Sequence, residues 1–90
     1  MNTFHYVYVL RSLKDENFYV GNTKDLRRRL AEHQGGEVRS TAARLPVELV
    51  YYEACRSQAD ATKREKYLKT AWGKRYIKTR LHDYLTGFIP

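Results

Sequence analysis

The residues of this chain that could carry chemistry are an acid, an arginine and a histidine whose spacing places each near an apolar surface. Glu65 falls within the core-facing stripe of a helix, between Ala61 and Leu68. A carboxylate there loses hydration unless a cation or hydrogen-bond donors compensate it. Arg29 or a bound metal ion would do so, and so would Lys69, one turn further along the same helix. Spacing alone leaves the two readings level. Arg29 and His33 stand at i,i+4 beside the apolar pair Leu26 and Leu30. They either edge the helix or present a guanidinium and an imidazole to one point; a guanidinium is suited to two phosphate oxygens and to the charge that grows in phosphoryl transfer. Tyr8 and Tyr19 sit in β-like segments, where packing with the hydroxyl at a wet edge is the ordinary role of tyrosine.

These side chains need two strands and two helices to hold them. His5–Leu10 (HYVYVL) is β-branched and aromatic with apolar residues on both faces, so it reads as a central strand. A polar loop over Ser12–Asn17 returns the chain as a second strand, Phe18–Gly21. An odd-sum pairing register would turn Tyr8 and Tyr19 to the same side. Thr23 is the expected N-cap of the next helix, Asp25 suits its first turn, and Gly35-Gly36 ends it beyond His33. On the helical wheel Leu26 and Leu30 are buried, Arg29 points towards the sheet, and Arg27 and Arg28 point away. A short turn over Ser40–Leu45 ends at Pro46, and Val47–Ala54 (VELVYYEA) forms a third strand. Ser57 and Asp60, at capping-box spacing, open a helix to about Trp72 whose core stripe is Ala61, Leu68 and Trp72. Gly73 is expected to break it. A last helix from about Lys74 to Leu85 would dock through Ile77, Leu81, Tyr84 and Leu85, leaving Gly87–Pro90 loose. The fold class expected is α+β, a three-stranded antiparallel sheet flanked by helices in the order β-β-α-(short α)-β-α-α.

Ninety residues bound this to a single domain with a small core. One cysteine, Cys55, excludes an intrachain disulfide and a thiolate zinc cluster, and its expected role is that of a small apolar residue near a strand end. No signal-like segment or apolar run of membrane length occurs, so a cytoplasmic setting without membrane contact is expected. The net charge is +7, and it is concentrated. From Lys63 to Arg80 there are eight bases against one acid, Glu65, while the other nine bases and nine acids cancel. Such a basic segment attracts a polyanion, nucleic acid first among candidates, or else serves only as a solvated helix face. Arg27, Lys63, Arg64, Lys69, Lys74, Arg75 and Lys78 are the expected contacts.

The order YVY (Tyr6–Tyr8), a ten-residue gap, YVG (Tyr19–Gly21) and TKDLRRRLAEH resembles the GIY-YIG nuclease superfamily. It is most similar to the small stand-alone bacterial members, relatives of the nuclease half of the excision-repair incision enzyme. The likeness covers residues 5–72, with VELVYYEA and ATKREKYLK in its second half. Tyr6 stands where the first motif has glycine. The resemblance implies a Mg²⁺- (or Mn²⁺-) dependent endonuclease with its site on one sheet face, cutting DNA by a one-metal mechanism; the residues do not separate DNA from RNA. It also implies a structure-selective, repair-related role and a monomer or weak homodimer. The family's tyrosines map to Tyr8 and Tyr19, its arginine to Arg29, its helix histidine to His33 and its metal-binding glutamate to Glu65. Tyr8 would act as general base if nearby cations lower its pKa, with His33 as the rival base and Tyr19 orienting water or phosphate. The asparagine that several family nucleases use downstream of the glutamate is missing; the asparagines here are Asn2, Asn17 and Asn22. The alternative is a nucleic-acid-binding module of the same fold with catalysis weak or lost.

Overall fold

The computed structural model describes residues 3–87. Its elements are β1 (His5–Ser12), β2 (Phe18–Thr23), α1 (Leu26–Gln34), α2 (Arg39–Ala42), β3 (Val47–Cys55), α3 (Gln58–Leu68), α4 (Ala71–Arg80) and α5 (His82–Thr86). Of the tail expected to be loose, residues 88–90 lie outside the described residues.

The three strands form one antiparallel sheet in the order β2-β1-β3. The apolar run of β1 places it at the centre, as expected, and Val7, Tyr8, Val9 and Leu10 are all buried. Tyr8 pairs with Gly21 and Leu10 with Tyr19. Opposed residues share a face, so Tyr8 and Tyr19 do lie on the same side. Two cores result. On one face Tyr8, Leu10 and Val47 pack with Leu26 and Leu30 of α1. On the other, Val7 and Val9 pack with Ala61 and Leu68 of α3 and Ile77 of α4. Cys55 ends β3 and lies partly buried against this second core.

Several local expectations are corrected. Asp25, not Thr23, caps α1, accepting from the Arg28 amide at 3.1 Å, while Thr23 Oγ1 accepts from the Asp25 amide. The helix opened by Ser57 stops at Leu68, and a new one starts at Ala71 with Thr70 as its cap, accepting from the Gly73 amide at 3.1 Å. Gly73 therefore lies inside the first turn of α4 rather than breaking a helix. A Cβ there would come within 2.7 Å of the Leu68 carbonyl carbon, so glycine permits α4 to cross the end of α3. The break resets the helical phase, and Trp72, expected in the core, is 67% exposed. Ile77 and Leu81 dock as expected. Tyr84 does not: it is exposed, and its hydroxyl donates to Glu48 at 2.9 Å.

Candidate nucleic-acid-cleaving site

α1 delivers two side chains to the sheet. Its leucines bury against the Tyr8 face, which brings His33, one turn beyond Arg29, into the interior, where it is only 4% exposed. The Tyr8 hydroxyl meets His33 Nε2 at 2.8 Å, and His33 Nδ1 meets Thr41 Oγ1 at 2.7 Å. Thr41 is fully buried on α2, where the Val38 carbonyl at 3.5 Å is a second partner for its hydroxyl. In the tautomer with the proton on Nδ1, Thr41 Oγ1 accepts from Nδ1–H and Nε2 accepts the Tyr8 proton. The Arg29 guanidinium donates to Glu32 Oε1 at 3.0 Å and lies close enough for its charge to act on the Tyr8 hydroxyl.

The glycine of the YVG motif has a steric role in this arrangement. A Cβ on Gly21 would lie 2.7 Å from Tyr8 Cζ and closer still to its hydroxyl. With hydrogen instead, the phenol crosses the edge strand and reaches the cleft beyond it. That cleft, of about 250 Å³, is lined by Tyr8, Tyr19, Arg29 and His33 together with Asn22, Glu65 and Lys69. Glu65 arrives from the opposite layer. α3 packs on the other sheet face, and Glu65 Oε1 accepts from Asn22 Nδ2 while Oε2 pairs with Lys69 Nζ at 2.7 Å. The site therefore opens at the β2 edge, shared between the two layers, rather than on one sheet face.

The electrostatics correct one expectation. Burial raises the Tyr8 pKa above its ordinary value, outweighing the hydrogen bond and charge of Arg29 that act to lower it. Burial, followed by the charge of Arg29, lowers His33. The pair is thus poised as neutral phenol and neutral imidazole, with His33 the stronger base. Tyr19 departs from its expected role in another way. Its hydroxyl donates to Asp15 Oδ2 in the hairpin loop at 3.0 Å, so Tyr19 contributes to the cleft wall with its hydroxyl already committed.

The basic residues divide. Lys69 and Lys74 border the cleft and the hollow next to it, and Lys78 borders a third hollow. Arg64 is taken up by Glu53 through a fork of bonds of 2.7–3.1 Å and lies over the rings of Tyr67 and Tyr76. Arg75 stacks on Trp72 at 5.0 Å, Lys63 is exposed on α3, and Arg27 lines a hollow with Tyr6 and Tyr52. Two site residues escaped the sequence reading. Asn22 lies outside the downstream position at which the family's asparagine is expected, although its place after the motif glycine sends it to the Glu65 side. Thr41 gave no signal beyond lying in a polar turn. Among the described residues no group of three His, Cys, Asp or Glu side chains forms a metal cluster, and no helix is long and apolar enough to cross a membrane.

Comparison with other proteins shows the family and the fold. A UPF0213 protein of Natronomonas pharaonis is 48% identical over 92% of this chain and 95% of its own length. A UPF0213 protein of Haloquadratum walsbyi is 41% identical over 78% of this chain and 79% of its own. The solution NMR structure of a UPF0213 protein from Bacillus halodurans superposes with a TM-score of 0.53 at 33% identity, covering 84% of this chain and 83% of that one. The GIY-YIG catalytic domain matches residues 4–84, and the chain belongs to the GIY-YIG family.

Proposed function

We propose that the protein is an endonuclease that hydrolyses DNA phosphodiester bonds with the aid of one Mg²⁺ or Mn²⁺ ion. The observation that carries this is the Tyr8–His33 hydrogen bond at 2.8 Å, in a cleft shared with Arg29 and Glu65. The Tyr8 hydroxyl donates to His33 with the Arg29 guanidinium nearby, and its oxygen keeps a lone pair for a proton from water. As water attacks phosphorus, its proton passes to the Tyr8 oxygen, and the phenolic proton passes to His33 Nε2. Tyr8 stays neutral overall, so its raised pKa is no obstacle; His33 is the terminal base. Arg29 has further N–H donors for the oxygens on which charge grows.

The donor chemistry of the cleft fits a hard cation. Glu65 is the carboxylate that lines it, and Asn22 offers a second oxygen if its amide turns over, in the part that the missing downstream asparagine has in other family nucleases. When bound, Mg²⁺ would supply charge neutralisation at the phosphate and leaving oxygen. Selectivity for DNA structure and a place in repair belong to the same proposal and rest on the resemblance to the incision enzyme.

The Lys69 ammonium at 2.7 Å from Glu65 favours a second reading, in which Lys69 occupies the cation position and the chain binds nucleic acid without cutting. Nicking of supercoiled plasmid separates the two. The nuclease nicks with Mg²⁺, stops with EDTA, and loses nicking but not binding on Glu65→Ala; a wild-type protein that binds DNA yet never nicks it refutes the nuclease.

A further inference from the structure

The cleft is one end of a longer furrow. Tyr19, Val20, Ser40 and Lys69 line both the cleft and a neighbouring hollow of about 260 Å³, which ends at Phe18 and Lys74. Phe18 in turn borders a third hollow, of about 310 Å³, with Lys78 on its rim. The first two follow the outer edge of β2, which among the described residues pairs with β1 alone, and the third meets that edge at Phe18, with Arg11, Glu16 and residues of α4 and α5 around it. Lys69, Lys74 and Lys78 flank this path, the last two one turn apart on α4. Lys69 is committed to Glu65, whereas among the described residues neither Lys74 nor Lys78 has an ion-pair partner. Partly exposed rings of Phe18 and Tyr19 border the same path.

We infer that this furrow takes a single-stranded continuation of the strand held in the cleft, with phosphates on Lys74 and Lys78 and bases against Phe18 and Tyr19. The inference rests on the reading of the cleft as a phosphodiester site. A row of unpaired cations beside aromatic rings is the chemistry that tracks a single strand, because charge holds the backbone and any base can stack. Each hollow, at about 250–310 Å³, is of the size of a nucleotide rather than of a duplex. The assignment also divides the basic segment. Lys74 and Lys78 contact the strand, whereas Lys63 and Arg75, equal in charge, do not.

The test is fluorescence anisotropy of a labelled thymidine decamer and of a blunt duplex of equal length, titrated with full-length protein in EDTA over a range of salt. The double variant Lys74→Gln/Lys78→Gln should bind the decamer roughly tenfold more weakly at low salt, and the slope of log K against log salt should fall by about 1.4. The charge-matched Lys63→Gln/Arg75→Gln protein should stay near wild type, and duplex binding should change little in either. Equal losses in both variants would mean diffuse attraction and overturn the furrow; an equal loss on the duplex would overturn its single-stranded occupant. Binding in EDTA needs no turnover, so a protein that passes this test yet never nicks plasmid refutes the nuclease and leaves the furrow standing.

Discussion

Gly21→Ala is the substitution that tests the site's construction most directly, because it adds one methyl group and removes nothing. The new carbon would stand 2.7 Å from Tyr8 Cζ, against an optimal carbon–carbon separation of about 3.5–4.0 Å. The ring must therefore retreat by about 1 Å. The 2.8 Å bond from the Tyr8 hydroxyl to His33 does not survive that displacement with useful geometry. Overpacking of this kind costs about 1–3 kcal/mol, and the stiffer unfolded chain returns about 0.4–1 kcal/mol. The net loss of about 1–2 kcal/mol lowers Tm by about 5–15 °C for a chain of this size. A misplacement of about 1 Å at the reacting group should slow nicking by about 10²-fold. Circular dichroism melts and a plasmid-nicking time course measure both effects. A double-mutant cycle adds a sharper criterion. Tyr8→Phe should cost stability in the wild type and almost none beside Gly21→Ala, since the bond it deletes is already lost. A Gly21→Ala protein with wild-type Tm and nicking rate, or strict additivity in the cycle, would refute the claim that this glycine exists to admit the phenol.

The remaining predictions concern the proton path and the acid side of stability. Thr41→Val keeps the shape of α2 but leaves His33 Nδ1–H without an acceptor, at a cost of about 1–3 kcal/mol; nicking should slow through kcat with KM unchanged, and Thr41→Ser should restore it. Because His33 titrates below its ordinary value of about 6.5, the acid limb of the nicking profile should lie below pH 6.5 and move if burial of the ring is relieved. The same shift has a consequence for folding. Below the unfolded pKa the unfolded chain takes up a proton that folded His33 refuses, so this residue erodes stability from about pH 6.5 downwards, as Tm across a pH series will register. Glu53 has the opposite sign: the Arg64 fork holds its carboxyl below the usual range, so its contribution is complete above about pH 4.3 and disappears as pH falls through the folded pKa. Arg64→Gln should therefore cost about 1–2 kcal/mol at pH 7, with the gap from wild type closing in urea titrations as pH falls through the folded pKa of Glu53.

Much of this architecture could be read from the residues because it depends on local periodicity. The apolar run of β1 placed that strand at the centre, and the wheel of α1 separated Arg29 from its two neighbouring arginines, since the Leu26–Leu30 stripe alone fixes the rotation of that helix. What could not be read depended on contacts between elements. Trp72 was assigned to the core by carrying one helical phase across Lys69 and Thr70. Thr70 followed by a buried Gly73 is the signal that a new helix starts there, and it becomes legible only once α4 is known to cross α3. The pKa of Tyr8 was expected to fall on account of nearby cations. Its direction is set by burial instead, which depends on how tightly α1 and α2 close over the ring. Thr41 was invisible for the same reason: its four-residue helix has no periodicity, and its importance lies in the histidine it meets.

The edge location of the site follows from one property of β strands. Successive residues point to opposite faces. Gly21 faces the α1 layer, where its missing side chain lets Tyr8 through; Asn22, the next residue, faces the α3 layer and holds Glu65. Two adjacent positions on β2 thus collect one group from each side of the sheet, and only an edge strand can do so, because β1 would screen the two layers from one another at its centre. The shift of a single residue in the β1–β2 register would exchange these two positions, presenting an amide to Tyr8 and hydrogen to Glu65. The cleft is consequently sensitive to the pairing Tyr8–Gly21 in a way that the two cores, built from interchangeable aliphatic contacts, are not.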